Sequence, residues 1–190
     1  MSLRTILSSA ALLTTLALAP AGFAQDGQMA GMQMAPESGK TMPSPPQTAT
    51  VTLAGQTLTI KYNSPHMRNR QIFGGLVPYD QVWRTGANPA TTLITPVALH
   101  IGSLLVPAGT YTIYTLPSRK KWMLIVNKQN GQWGTEYKQE MDLGRVELKE
   151  KSIAEPQEVM SISFDDIKRD SAELHIRWAT TDESVKITTP

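Results

Sequence analysis

The side chains best suited to chemistry gather in one stretch, Ser64 to Asn88, which holds His66, Arg68, Arg70, Tyr79, Asp80, Trp83, Arg84, Thr85 and Asn88. Guanidinium and amide donors set among aromatic faces suit the recognition of carboxylates or sugars. The candidate ligand-binding residues are His66, Arg68, Arg70, Tyr79, Arg84 and Asn88. A competing reading is purely architectural. It puts Trp83 in the core, sets Arg84 against a carboxylate that holds a long loop, and uses Gly74 and Gly75 only to permit a bend. A catalytic reading instead combines His66 with Arg84 and an acid such as Asp80 in a cell-envelope hydrolase.

Other motifs carry less. Ser118-Arg119-Lys120-Lys121 matches the S-x-x-K pattern of serine acylases, but it falls between two strand patterns rather than at a helix start, and its companion motifs are missing. A solvated turn is the expectation there. The three histidines, His66, His100 and His175, are spaced 34 and 75 residues apart, which is no known metal-ligand spacing. His100 and His175 each stand between apolar neighbours on alternating strands, so both point away from the apolar face. Asp165 and Asp166 are sequence neighbours in a polar turn, a poor arrangement for paired carboxylates that must face one another across a bond. No cysteine occurs, which excludes disulfides, thiol nucleophiles, cysteine zinc sites and an N-terminal lipidated cysteine.

Methionine is then the one sulfur ligand left. Met29, Met32 and Met34 cluster in a segment without Val, Ile, Leu or aromatic residues. Three thioethers suit Cu(I), and that ion is the only cofactor the sequence leaves open. The bland alternative is ordinary filler in a low-complexity linker.

The elements that position these groups follow from composition and period. Residues 1–24 have a basic Arg4, an apolar run and small residues before Gln25, the pattern of a secretory signal peptide. The run is interrupted and too short for a spanning helix, so the expectation is an exported chain, periplasmic or extracellular, with no transmembrane segment after cleavage. Residues 25–48 read as a disordered Met/Pro/Gly-rich linker, and residues 49–190 as one folded domain. Charge is nearly balanced: 18 Lys and Arg against 16 Asp and Glu, or 17 against 16 without Arg4. A nucleic-acid partner is not expected.

Within the domain, Leu58, Ile60 and Tyr62 alternate with Thr57, Thr59 and Lys61, and similar alternation recurs at 50–53, 91–95, 97–101, 110–116, 159–164, 172–179 and 185–187. Residues 122–126 are almost continuously apolar, as in a strand covered on both faces. About ten short strands separated by turn residues predict an all-β fold, an antiparallel β-sandwich, jelly roll or barrel.

The phrases FGGLVPY at 73–79, VWRTGAN at 82–88 and PAGTY at 107–111 resemble, in that order, a family of exported bacterial proteins catalogued only as a domain of unknown function. The resemblance spans about residues 50–187. It implies an exported β-rich domain and brings no activity or catalytic residue with it. The sequence therefore leads to a non-catalytic module for an unknown small molecule or envelope partner, with the hydrolase and the copper carrier as alternatives.

Overall fold

The structure, a computed structural model, describes residues 43–190. Ten strands form two antiparallel sheets. The first has six strands in the order β1 (Pro46–Leu53), β2 (Gln56–Asn63), β3 (Thr91–Thr95), β6 (Gly109–Leu116), β7 (Met123–Asn127) and β8 (Asp142–Glu147). The second has four, in the order β5 (Leu104–Val106), β4 (Leu99–Ile101), β10 (Ser171–Thr188) and β9 (Lys149–Asp165). Neither sheet closes on itself, so the all-β expectation resolves to a sandwich.

Period two fixes the register. On β2, Leu58, Ile60 and Tyr62 are buried while Gln56, Thr57 and Lys61 are exposed. A slip of one residue would turn Lys61 inward and expose three side chains, each worth about 1.5–3 kcal/mol when buried. The matching face of β10 presents Ala172, Leu174, Ile176 and Trp178, and all join the same core cluster as Leu58 and Ile60. Tyr62 also ties the sheets together, its hydroxyl accepting a 3.1 Å hydrogen bond from the Ile162 backbone N–H.

Four departures from expectation have physical causes. Strand β1 begins at Pro46, inside the range assigned to the linker, with Pro46–Thr48 opposite Lys61–Asn63. It lies at the sheet edge, where proline's missing N–H costs no ladder bond. The apolar strand at 123–127 is covered on both faces, with Leu124, Ile125 and Val126 fully buried, although it lies one strand in from an edge. Strands β5 and β8 had no clear alternation to reveal them.

Finally, the last two strands are not short. Strand β9 runs 17 residues and β10 runs 18, and the patterns at 172–179 and 185–187 belong to one strand. The break between them is a bulge. The register shifts on both sides of Ala179, whose φ is 52°. Beyond it the inward parity changes, from Leu174, Ile176 and Trp178 to Val185 and Ile187.

Candidate functional site

The bulge also builds the site. Where β9 leaves β10, its residues 158–160 pair with the chain entering the long Ser64–Ala90 connection. The Met67 N–H bonds the Glu158 carbonyl at 2.8 Å, the Met160 N–H bonds the Pro65 carbonyl at 2.9 Å, and the Ser64 hydroxyl bonds the Met160 carbonyl. The other end of the connection is fixed to the six-stranded sheet. Trp83 and Thr115 exchange both backbone hydrogen bonds, at 2.8 and 2.9 Å, beside β6 where β3 has ended.

Between these anchors lies a cavity of about 340 Å³. Arg70, Gln81, Arg84 and Asn88 supply its polar wall, and Leu76, Val77, Val82, Trp83 and Trp178 its apolar one. Among the described residues, no Asp or Glu lines it. Trp83 stacks on Trp178, with ring centroids 5.8 Å apart and planes 19° apart, and Phe73 meets both edge-on. The tryptophan N–H groups are already used, Trp83 bonding the Gly86 carbonyl and Trp178 the Glu158 carbonyl. Both rings therefore offer the cavity only their apolar surfaces.

Arg84 is the unusual member. Among the described residues its buried Nε finds no hydrogen-bond partner, and no carboxylate lies within ion-pair distance of it. Burial lowers its pKa from the usual arginine value. The carboxylate partner required by the architectural reading is absent among the described residues. What holds the side chain is shape. A Cβ on Gly134 would come within 2.1 Å of Arg84 Cδ and 2.8 Å of the Asn88 carbonyl oxygen, so glycine is needed for Arg84 to lie there. The loop carrying Gly134 is itself pinned. Tyr137 donates to Asp142 at 2.8 Å, Arg145 bonds both, and burial together with Asp142 pushes the Tyr137 phenol up to about 12.

The sequence candidates divide. Arg70, Arg84 and Asn88 come together on the cavity. Arg70 is locked, its Nε and Nη2 donating to the Met67 and His66 carbonyls at 2.9 and 2.7 Å. His66, Arg68 and Tyr79 are not on the cavity wall. His66 pairs through its backbone with Val159, and its Nδ1 is buried without a partner. Arg68 bonds the Pro43 carbonyl, and its backbone N–H bonds Glu158. Tyr79 packs against Gly74 and lies 4.9 Å beneath the Arg119 guanidinium. Asp80 is exposed, with its N–H bonded to the Pro117 carbonyl, and does not line the cavity. Met29, Met32 and Met34 lie outside the described residues.

The S-x-x-K segment is a turn between β6 and β7. Its Lys121 pairs with Glu147 at 2.8 Å on the exposed surface, and its Ser118 hydroxyl accepts from the Lys120 N–H. No three His, Asp or Glu side chains converge as metal ligands among the described residues, and none of the helices there is long and apolar enough to cross a membrane.

Two features of β10 lay beyond sequence reasoning. His175 is not a free surface histidine. Its Nδ1 lies 2.7 Å from Asp182 Oδ1, and Arg177 joins Asp182, Asp165 and Ser163 at 2.9, 2.5 and 2.8 Å. The parity change at Ala179 puts Asp182 on the same face as His175 and Arg177. The same change turns Glu183 inward with Val185 and Ile187. Only 1% exposed, it has both carboxyl oxygens unpartnered. Burial, reinforced by Glu150 and Asp182, raises its pKa to about 8.

No curated protein and no solved structure matches the chain. A protein family does, over residues 44–187. That match takes in both sheets and the entire connection around the cavity, and by it the chain belongs to the family described as Protein of unknown function (DUF2911).

Proposed function

We propose that this chain is an exported, non-catalytic ligand-binding domain whose small-molecule site is the cavity between the Ser64–Ala90 connection and the Trp83/Trp178 stack. The export half rests on residues 1–24, whose basic start, apolar run and small residues before Gln25 match a cleaved signal. The observation that carries the binding half is the cavity itself. Its volume of about 340 Å³ falls in the range of small-molecule sites, and its wall is divided about evenly between apolar surface and convergent polar groups. The connection that walls it is far longer than the roughly 15 residues that structural loops rarely exceed without a function.

Against the hydrolase alternative stands the arrangement of its members. His66 and Asp80 lie off the cavity wall that holds Arg84, and His66 Nδ1 has no group to orient it. Trp83 and Trp178 make the binding test direct. A screen of metabolites against the full chain, read by tryptophan fluorescence and thermal shift, is expected to yield a ligand that changes emission and raises Tm by mass action. A ligand whose effect survives Trp83→Leu unchanged would place binding elsewhere.

A further inference from the structure

We infer that the ligand of this cavity is an organic anion, an acidic head on an apolar body, with Arg84 as the group that meets its charge. The inference rests on the ligand-binding reading above and goes beyond it by naming the chemistry.

The charge in the cavity wall is out of balance. Arg84 and Arg70 both line the cavity, and among the described residues no acidic one does. Elsewhere in the domain, arginines in comparable burial are neutralised: Arg145 by Asp142, Arg177 by Asp165 and Asp182. A half-buried guanidinium without a counter-ion is costly, because burial removes water from the charge and nothing replaces it. An anion in the cavity supplies what is missing. The guanidinium fork can donate two parallel hydrogen bonds to a carboxylate or a phosphate, and among the described residues no carboxylate pairs with Arg84.

Arg70 is placed for the same purpose. With Nε and Nη2 held by backbone carbonyls, its orientation is set before any ligand arrives. The remainder of the wall suits the body of such a molecule. Leu76, Val77, Val82 and the two tryptophans provide apolar contact. Inorganic ions alone would leave that surface unused, so head and body should both contribute.

A single hydrocarbon body carrying different heads tests this on the full chain: phenylbutyrate, phenylbutyl phosphate, phenylbutanamide and phenylbutylamine, with inorganic phosphate and acetate as heads alone. Tryptophan emission reports binding. The two anions are expected to bind at least about ten-fold more tightly than the amide, the amine not at all, and the preference to shrink with added salt. Which anion is preferred separates a carboxylate from a phosphate ligand. Arg84→Gln should lower anion affinity about ten- to hundred-fold and that of the amide far less, so that the preference collapses, and Arg84→Lys should retain part of the preference.

Equal binding of amide and carboxylate would overturn the anionic ligand and leave the cavity as a neutral-ligand site. Binding of none of the series at millimolar concentration would overturn both readings. Should Arg84→Gln fail to fold, the head-group ranking and salt dependence of the native protein still decide.

Discussion

Arg84 and Arg177 are the same residue in two settings of one sandwich. On β10, Arg177 is surrounded by acceptors: Asp182, Asp165 and Ser163 take its donors, and His175 sits beside it on the same carboxylates. Burial alone would lower its pKa, but the hydrogen bonds to Asp165 and Asp182 outweigh that and raise it. Those bonds also hold the Asp165 carboxyl below its usual range. Arg84, in the long connection, has burial without acceptors, and its pKa falls. Arg177 is satisfied by the fold, whereas Arg84 has no acceptor among the described residues, the gap that the proposed anion would fill.

Four substitutions probe this contrast, beginning with the largest expected effect. Asp182→Ala removes the carboxylate shared by His175 and Arg177, and with Asp182 only 4% exposed it should cost about 3 kcal/mol in urea unfolding. A loss below about 1 kcal/mol would show that the β10 network is decoration and dissolve the contrast.

Glu183 sharpens it from the opposite sign, as a buried acid without a partner. Its carboxyl ionises near 4.5 in the unfolded chain and near 8 in the folded one. Between those values the unfolded chain binds fewer protons, so this group lowers stability as pH rises from 5 to 8, and the loss levels off above 8. Glu183→Gln should therefore gain on the native protein across that window, by on the order of 2–4 kcal/mol at pH 8. An unchanging difference between pH 5 and pH 8 would contradict the burial of an uncompensated carboxyl.

Gly134→Ala places a methyl group where Arg84 Cδ and the Asn88 carbonyl now lie. It should cost about 1–3 kcal/mol and weaken any anion bound in the cavity. The smallest effect belongs to Arg84→Gln, expected within about 0.5 kcal/mol of the native protein because no partner is orphaned. A loss comparable to that of Asp182→Ala would make Arg84 structural after all.

Legibility in the sequence followed the range of the interactions. Local alternation identified β1, β2, β3 and β6, because period two is written in adjacent residues such as Leu58, Thr59 and Ile60. The continuity of β10 was hidden, since the change of parity at Ala179 interrupts the alternation that would reveal it. Asp182 and Glu183 were missed for the same reason: in the run TTDESV they look like a solvated turn. Arg84 stood out by type and by its aromatic neighbours. That it lacks a carboxylate, and that Gly134 is what lets it lie there, are facts about chain segments 50 residues apart, which no local pattern encodes. His66, Arg68 and Tyr79 share the sequence neighbourhood of Arg84, but pairing with Val159 and Glu158 holds the first two off the cavity wall, and Tyr79 lies instead against Gly74 and Arg119.

The two anchors of that connection have a consequence for motion. Backbone hydrogen bonds tie its first part to β9 and its later part to β6, so it is held by both sheets at once. Such a span should behave as part of the framework, with the amides of Met67 and Trp83 exchanging with solvent about as slowly as those of the strands they join. A ligand entering the cavity would then lose little affinity to ordering the wall around it, and rates of entry would be set by side chains at the rim rather than by the opening of a lid.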